Sequence, residues 1–336
     1  MSEKSVKFVV GGPVQVDEGT YLERPADEAL LKACKRGDFA YVLACRQIGK
    51  SSLMNETERR LRDEGIRTAV IDLTLIGRAV DEDTWYFSLM TELADRLKLE
   101  VDVNVWWENQ PTLATPTKQF LLFLREVVLR EISEPIVVFV DEIDFTLGLD
   151  FADDFFAAIR AVYQDRVHQT DYKRLTFVLL GMAAPDELIA DSRHTPFNIG
   201  QKIDLRDFTI EECEPFRLAL EDTHPQHGSH YFDQIYDWTK GHPYLTQKLC
   251  ATVSRSSQDN PDLVETEVSG LFFAPEARGE GNIQFVQTRI VRDPYAQAML
   301  RIYKRVIEAK EAVADDEQSP AINRLKLYGL VVNQNG

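Results

Sequence analysis

The octapeptide Ala44-Cys45-Arg46-Gln47-Ile48-Gly49-Lys50-Ser51 lies between an apolar run, Tyr41-Val42-Leu43, and a helical pattern from Ser51 to about Arg62. A buried strand, a tight loop ending in Gly-Lys-Ser and a helix, in that order, leave few folds open. Such a loop is a phosphate cradle. The backbone N–H groups of Gln47, Ile48, Gly49, Lys50, Ser51 and Ser52 surround an anion at the positive end of the helix. Lys50 reaches the β- and γ-phosphates, and the Ser51 hydroxyl faces Mg²⁺. The first position of the pattern G-x-x-x-x-G-K-[ST] is Ala44, not Gly, so the octapeptide needs support from elsewhere in the chain.

That support comes from Ile136-Val-Val-Phe-Val-Asp-Glu-Ile-Asp144, which is expected to be the third strand. An apolar run from Ile136 to Val140 reads as a strand central in a sheet. Asp141-Glu142 then falls at its C-terminal end, the edge at which parallel α/β sheets bind ligands, as in a Walker B strand. Asp141 is expected to hold Mg²⁺ through water, and Glu142 to orient or deprotonate an attacking water.

Further strands are expected at Arg67–Thr74, Leu175–Gly181 and Gln201–Leu205, the last after a turn at Asn198–Gly200. Helices are expected at about Ala26–Arg36, Thr84–Leu97, Thr117–Arg130 and Asp150–Gln164. Residues 101–116, with Trp106, Trp107 and two prolines, read as a surface loop whose tryptophans either pin it to the core or form a patch for a partner. Five strands alternating with helices predict an α/β fold with an open parallel sheet.

From Thr209 the pattern is helical. Thr209-Ile-Glu-Glu212 is a capping box, so a helix is expected to start there. Helices are also expected at Tyr231–Thr239, at Tyr244–Ser254 after Gly241-His242-Pro243, and at 294–312. Val268–Gly281 fits no single pattern. Ile322–Val332 predicts a helix, a Gly turn and a short strand, as in a winged helix. The expected division is 1–208 for the N-terminal segment and nucleotide core, 209–262 for a helical lid and 263–336 for the winged-helix-like part.

A formal charge of −17 argues against a nucleic-acid coat, which needs a basic footprint. No apolar run approaches the roughly 20 residues needed to span a bilayer, and the first residues lack a signal-peptide core, so a cytoplasmic location without membrane is expected. Cys34, Cys45, Cys213 and Cys250 show no paired spacing and read as reduced thiols. His224, His227 and His230 recur every third residue, but in a turn containing Pro and Gly that does not align them for a metal.

Several blocks in order resemble the bacterial AAA-like domain of STAND NTPases, the signal-transduction ATPases with numerous domains. They are Tyr21-Leu-Glu-Arg-Pro-Ala-Asp27, Arg46–Leu53, Ile71-Asp-Leu-Thr74, Val140–Asp144, Asp154–Arg160, Arg174–Gly181, Thr195–Gly200 and Gly241-His-Pro-Tyr-Leu-Thr-Gln247. The resemblance covers roughly residues 10–250 and implies tolerance of Ala44 and a strand order resembling 5-1-4-3-2. It also implies that Tyr21 to Arg24 run beside an adenine, that Pro243 in a helical lid approaches the nucleotide, and that a winged helix follows. The cofactors implied are ATP or ADP with Mg²⁺. Two features depart from AAA ATPases. Gly181-Met182-Ala183-Ala184 has no polar sensor side chain, and no arginine finger stands out among Arg193, Arg160 and Arg166. Repeat or effector domains commonly follow the winged helix in this family. With the sequence ending at Gly336, that part is expected to be absent or supplied by a partner.

Three functions are compatible with these residues. The first is an ATP-dependent switch in signalling or defence assembly, acting with a protein partner or as a homo-oligomer. The second is a scaffold that holds ADP without turnover. The third is a DNA-binding ATPase using Arg289, Arg292, Arg301, Lys304 and Arg305, which the acidic total charge disfavours.

Overall fold

The computed structural model describes residues 6–12, 21–111, 114–189, 196–274, 281–309, 313–316 and 319–331. The chain forms two compact units. A sheet unit comprises Pro25–Leu43 and Met54–Asp204, and a helical unit comprises Met1–Arg24, Ala44–Leu53 and Leu205–Gly336.

The sheet unit begins with α1 (Pro25–Arg36) and β1 (Ala40–Leu43). α2 (Lys50–Asp63) follows the loop, its first turn belonging to the helical unit. Next come β2 (Arg67–Asp72), α3 (Glu82–Leu97), α4 (Val103–Glu108), α5 (Pro116–Phe123), α6 (Leu129–Glu131) and β3 (Ile136–Asp141). α7 (Ala152–Gln164), β4 (Leu175–Gly181), α8 (Pro185–Leu188) and β5 (Gln201–Lys202) complete it. The five strands are parallel, in the order β2-β3-β4-β1-β5. That is the expected 5-1-4-3-2 order seen from the opposite edge. Every residue of β3 and β4 is buried, which is why both read as largely apolar runs, interrupted only by Thr176 in β4 and Asp141 at the end of β3.

Aromatic rings fill the core beside this sheet. Trp85 meets Tyr86 and Phe155 edge-on, each at 5.1 Å between centroids. Such rings combine large apolar burial with favourable edge-to-face geometry.

Several local expectations need correction. Residues 101–116 are not wholly a loop, because Asp102 accepts the Val105 N–H at 3.1 Å and caps the short helix α4. Its tryptophans do pin it to the core, Trp106 against Phe123 and Trp107 against Phe87. The helix expected over Thr117–Arg130 contains a π-helical segment, Leu124–Val128, between α5 and α6. β2 and β3 end at Asp72 and Asp141, earlier than expected, and each passes into a 3₁₀ turn. β5 stops at Lys202, although Ile203 still donates to the Tyr41 carbonyl at 2.9 Å.

The helical unit contains α9 (Glu214–Thr223), α10 (Gly228–Thr239), α11 (Pro243–Arg255) and α12 (Leu263–Val268). α13 (Gly281–Arg292), α14 (Ala296–Glu308) and α15 (Pro320–Leu327) follow. Phe216, Leu220, Phe232, Ile235, Cys250 and Val253 lie in its core with under 1% of their surface exposed. The capping box forms as read: the Thr209 N–H donates to Glu212, and the Glu212 N–H donates to the Thr209 hydroxyl. α9 nevertheless starts only at Glu214, with Pro215 in its first turn. Past α12 a π-helical segment occupies Ser269–Phe273, and residues 275–280 lie outside the described residues. The helix expected at 294–312 is α14, with residues 310–312 also outside. After α15, Gly329 makes the expected turn at φ +72°, but Leu330 and Val331 form no strand, and Val332 is not among the described residues. No helix of the described residues is long and apolar enough to cross a membrane.

Candidate functional site

In the helical unit, Ala44 to Gly49 form a loop that leads directly into α2. Gln47 and Gly49 take left-handed backbone angles, φ +62° and +100°. For a glutamine that conformation is uncommon and held by its surroundings. Ile48 is buried between them. The Leu53 N–H bonds the Gly49 carbonyl at 3.0 Å, which sets the first turn of the helix at Lys50, Ser51 and Ser52. The first N–H groups of any α-helix have no partner within the helix and carry its positive pole. The Lys50 ammonium folds back over its own loop, donating to the Ala44 and Cys45 carbonyls at 2.9 Å each. Cys45 remains a thiol, because burial pushes it up to about 11 against the lowering influence of Lys50.

Arg24 anchors this loop from below. Its Nη1 donates to the Ile48 carbonyl at 2.7 Å and to the Arg206 carbonyl at 3.1 Å. A Cβ on Gly49 would come within 2.8 Å of Arg24 Nη2, so glycine is required there on two grounds, the contact and the positive φ. The guanidinium also lies 5.0 Å from the centre of the Phe208 ring. Phe208 in turn donates its N–H to the Gly241 carbonyl at 3.0 Å, and a Cβ on Gly241 would sit 2.0 Å from the Phe208 carbonyl oxygen. Pro243 occupies the first position of α11, where its missing N–H costs nothing. Tyr21 lies half-buried three residues before Arg24.

Sequence reasoning missed Arg206 and Asp207 here. Arg206 grips Glu212 through two hydrogen bonds, at 2.7 and 3.0 Å. Asp207 Oδ1 is buried and accepts no hydrogen bond. Burial pushes this carboxyl up to about 6, although Arg24 and Arg206 pull it down. A lone Asp between an Arg and a Phe in a linker gives no pattern by which to find it.

In the sheet unit, Asp141 ends β3 in register with Asp72 of β2. Asp141 Oδ1 accepts the Glu142 N–H at 2.9 Å. Glu142 adopts φ +55°, a left-handed angle that turns the chain sharply after the strand. The following turn is fastened on two sides. The Arg78 guanidinium donates to the carbonyls of Asp144 and Phe145, each at 3.0 Å, and stacks 3.9 Å from the Phe145 ring centre. Asp144, buried, accepts the Met182 N–H at 3.0 Å. Arg78 was not apparent in the sequence, because it acts across a gap of 66 residues.

Arg166 spends its guanidinium on the carbonyls of Gly37, Tyr172 and Leu175. Arg160 is half-buried on α7, and Arg193 lies outside the described residues. His227 pairs with Asp259 at 2.9 Å, and His224 with the Thr223 hydroxyl at 3.1 Å. Among the described residues no group of three or more His, Cys, Asp or Glu is placed to hold a metal.

A five-stranded parallel sheet in this order, with a Gly-Lys-Ser loop leaving β1 and an acidic end on β3, is the fold of P-loop ATPases. Residues 9–336 match the model of the AAA-like domain, and the chain belongs to that family. It is 33% identical over 349 residues to an uncharacterized WD repeat-containing protein of Synechocystis sp.. The match covers 99% of this chain but only 29% of that relative. Among the solved structures that share the fold are these two. One is a Walker-type ATPase of Pyrococcus abyssi, with a TM-score of 0.58, 14% identity, and coverage of 98% of this chain and 95% of that one. The other is the ORC2 protein of Aeropyrum pernix in ADPNP–ADP complexes, with a TM-score of 0.51, 13% identity, and coverage of 98% and 90%.

Proposed function

We propose that this chain is an ATP-binding switch of the STAND type, with magnesium-dependent hydrolysis that sets the state of a helical lid and a winged-helix-like part. The observation that carries the reading is the shaped loop: left-handed Gln47 and Gly49, followed at once by Lys50 and Ser51 on the first turn of α2. A concave run of N–H groups at a helix start, with an ammonium beside it, fits a polyphosphate. The ADPNP–ADP complexes of the ORC2 relative support a nucleotide as the ligand.

In this reading Gln47, Ile48, Gly49, Lys50, Ser51 and Ser52 bind the phosphates, and Tyr21 and Pro243 border the base. The hydroxyl of Ser51 and the carboxylate of Asp141 are hard oxygen donors of the kind Mg²⁺ prefers. The metal would neutralise charge on the β- and γ-phosphates. Glu142 orients the attacking water and takes its proton. The WD-repeat designation of the longer Synechocystis relative supports a protein partner for the switch, and self-association is the other assembly proposed. Turnover by the pure protein that Glu142→Gln abolishes while ATP still binds is the expected result. Turnover unchanged in that variant would overturn Glu142's role.

One observation favours the second reading, an ADP-holding scaffold. Residues 182–184 present no polar side chain beyond β4, and Gly181 has no room for one: a Cβ there would lie 2.6 Å from Ile143 Cγ1. ADP that co-purifies, with no turnover in the wild type, would select this reading. The DNA-binding alternative rests on the exposed Arg292, Arg301, Lys304 and Arg305 of α13 and α14. Absence of a salt-dependent DNA complex at low ionic strength would remove it.

A further inference from the structure

We propose that Arg24 is a positioning residue for the phosphate cradle and does not read the base. The proposal rests on the reading of the loop as a nucleotide site, and it assigns Arg24 a different end of that nucleotide from the one its place in the sequence implies.

The geometry points one way. Arg24 is only 5% exposed. Its Nη1 is committed to two backbone carbonyls, Ile48 at 2.7 Å and Arg206 at 3.1 Å. Its Nη2 fills the space that a Gly49 side chain would need. The Ile48 carbonyl and the Gly49 N–H belong to one planar trans peptide and point in opposite directions. Drawing the carbonyl toward Arg24 therefore turns the Gly49 N–H the other way. That N–H is one of the donors of the cradle. Arg24 thus orients a phosphate-binding group through the peptide between them and adds positive potential without touching the ligand.

The second bond extends the effect. The Arg206 carbonyl belongs to a linker whose Phe208 is bonded to Gly241, two residues before Pro243. One guanidinium therefore ties the loop to the start of α11. A group held in this way acts on every ligand carrying the same phosphates, whatever its base.

The test is calorimetric titration of the full chain with ATP, GTP and inorganic tripolyphosphate, using wild type, Arg24→Lys and Arg24→Gln. Arg24→Gln is expected to weaken all three by one common factor of roughly tenfold or more, leaving the ATP-to-GTP ratio at its wild-type value. Arg24→Lys, which keeps a cationic donor for the Ile48 carbonyl, is expected to recover part of the loss with the same ratio. If the Gln variant does not fold, the Lys variant carries the comparison. A loss for ATP that spares tripolyphosphate means that Arg24 reads the base and overturns the proposal. Unchanged affinities for all three, with only a lower melting temperature, overturn it as well. Wild type that binds none of the three probes overturns the nucleotide reading itself, and this role with it.

Discussion

Asp144 of the turn after β3 accepts the backbone N–H of Met182, just past β4, at 3.0 Å. The carboxylate thus reaches from one strand end to the next, and its Oδ1 would lie 3.3 Å from a Cβ on Gly181. Removing it leaves a buried N–H without its acceptor. Asp144→Ala is expected to cost about 1–3 kcal/mol in urea unfolding, and Asp144→Asn, which keeps an acceptor oxygen, distinctly less. Equal losses in the two variants would count against the bond.

The Lys50 ammonium folds over the loop, donating to the Ala44 and Cys45 carbonyls. In the proposed complex it exchanges those carbonyls for phosphate oxygens. Charge-assisted bonds of this kind make Lys50→Ala weaken ATP by roughly 100-fold or more. Calorimetry that found wild-type affinity in this variant would remove Lys50 from the site.

Asp207 gives a pH signature. Burial raises it from the usual 3.8 to about 6 in the folded chain, so folding holds its proton more tightly. The stability it contributes is complete below about pH 4 and is lost as the pH rises through about 6. Asp207→Asn does not titrate. The stability of the variant relative to wild type is therefore expected to rise by on the order of 1–2 kcal/mol between about pH 4 and pH 8. A flat difference across that range would show that the folded carboxyl has an ordinary affinity for its proton.

Arg166 bonds three backbone carbonyls from the segments that flank it: Gly37, Tyr172 and Leu175. Its place is structural. Arg166→Ala is expected to lower stability by roughly 2–4 kcal/mol and to leave turnover of the folded protein unchanged well below its melting temperature. A stable variant that had lost turnover would restore Arg166 as a finger acting on a neighbouring copy.

The sheet was legible in the sequence for a simple reason. β3 and β4 are buried along their whole length, so each reads as an apolar run with a clear acidic or glycine end. Gly-Lys-Ser and the Thr209–Glu212 capping box are equally local signals. What sequence reading could not reach is long-range. Arg24 bonds Arg206 across 182 positions, and Asp144 meets Met182 across 38. A lone Arg or Asp gives no period or spacing that announces such a partner. α4 escaped for the opposite reason: six residues are too few to establish a helical period.

The helical unit draws on three separate stretches of chain, the last beginning at Leu205. On the ribosome this imposes an order in time. Ala44–Leu53 is synthesised early, yet Arg206 and Gly241, which complete its anchorage through Arg24 and Phe208, come up to about 190 residues later. At about 5–20 residues per second that is a delay of roughly 10–40 s. Nascent chains stalled before Leu205 are therefore expected to retain no ATP, and chains released beyond α11 to retain it. ATP held by the shorter chains would show that the loop takes its shape without them.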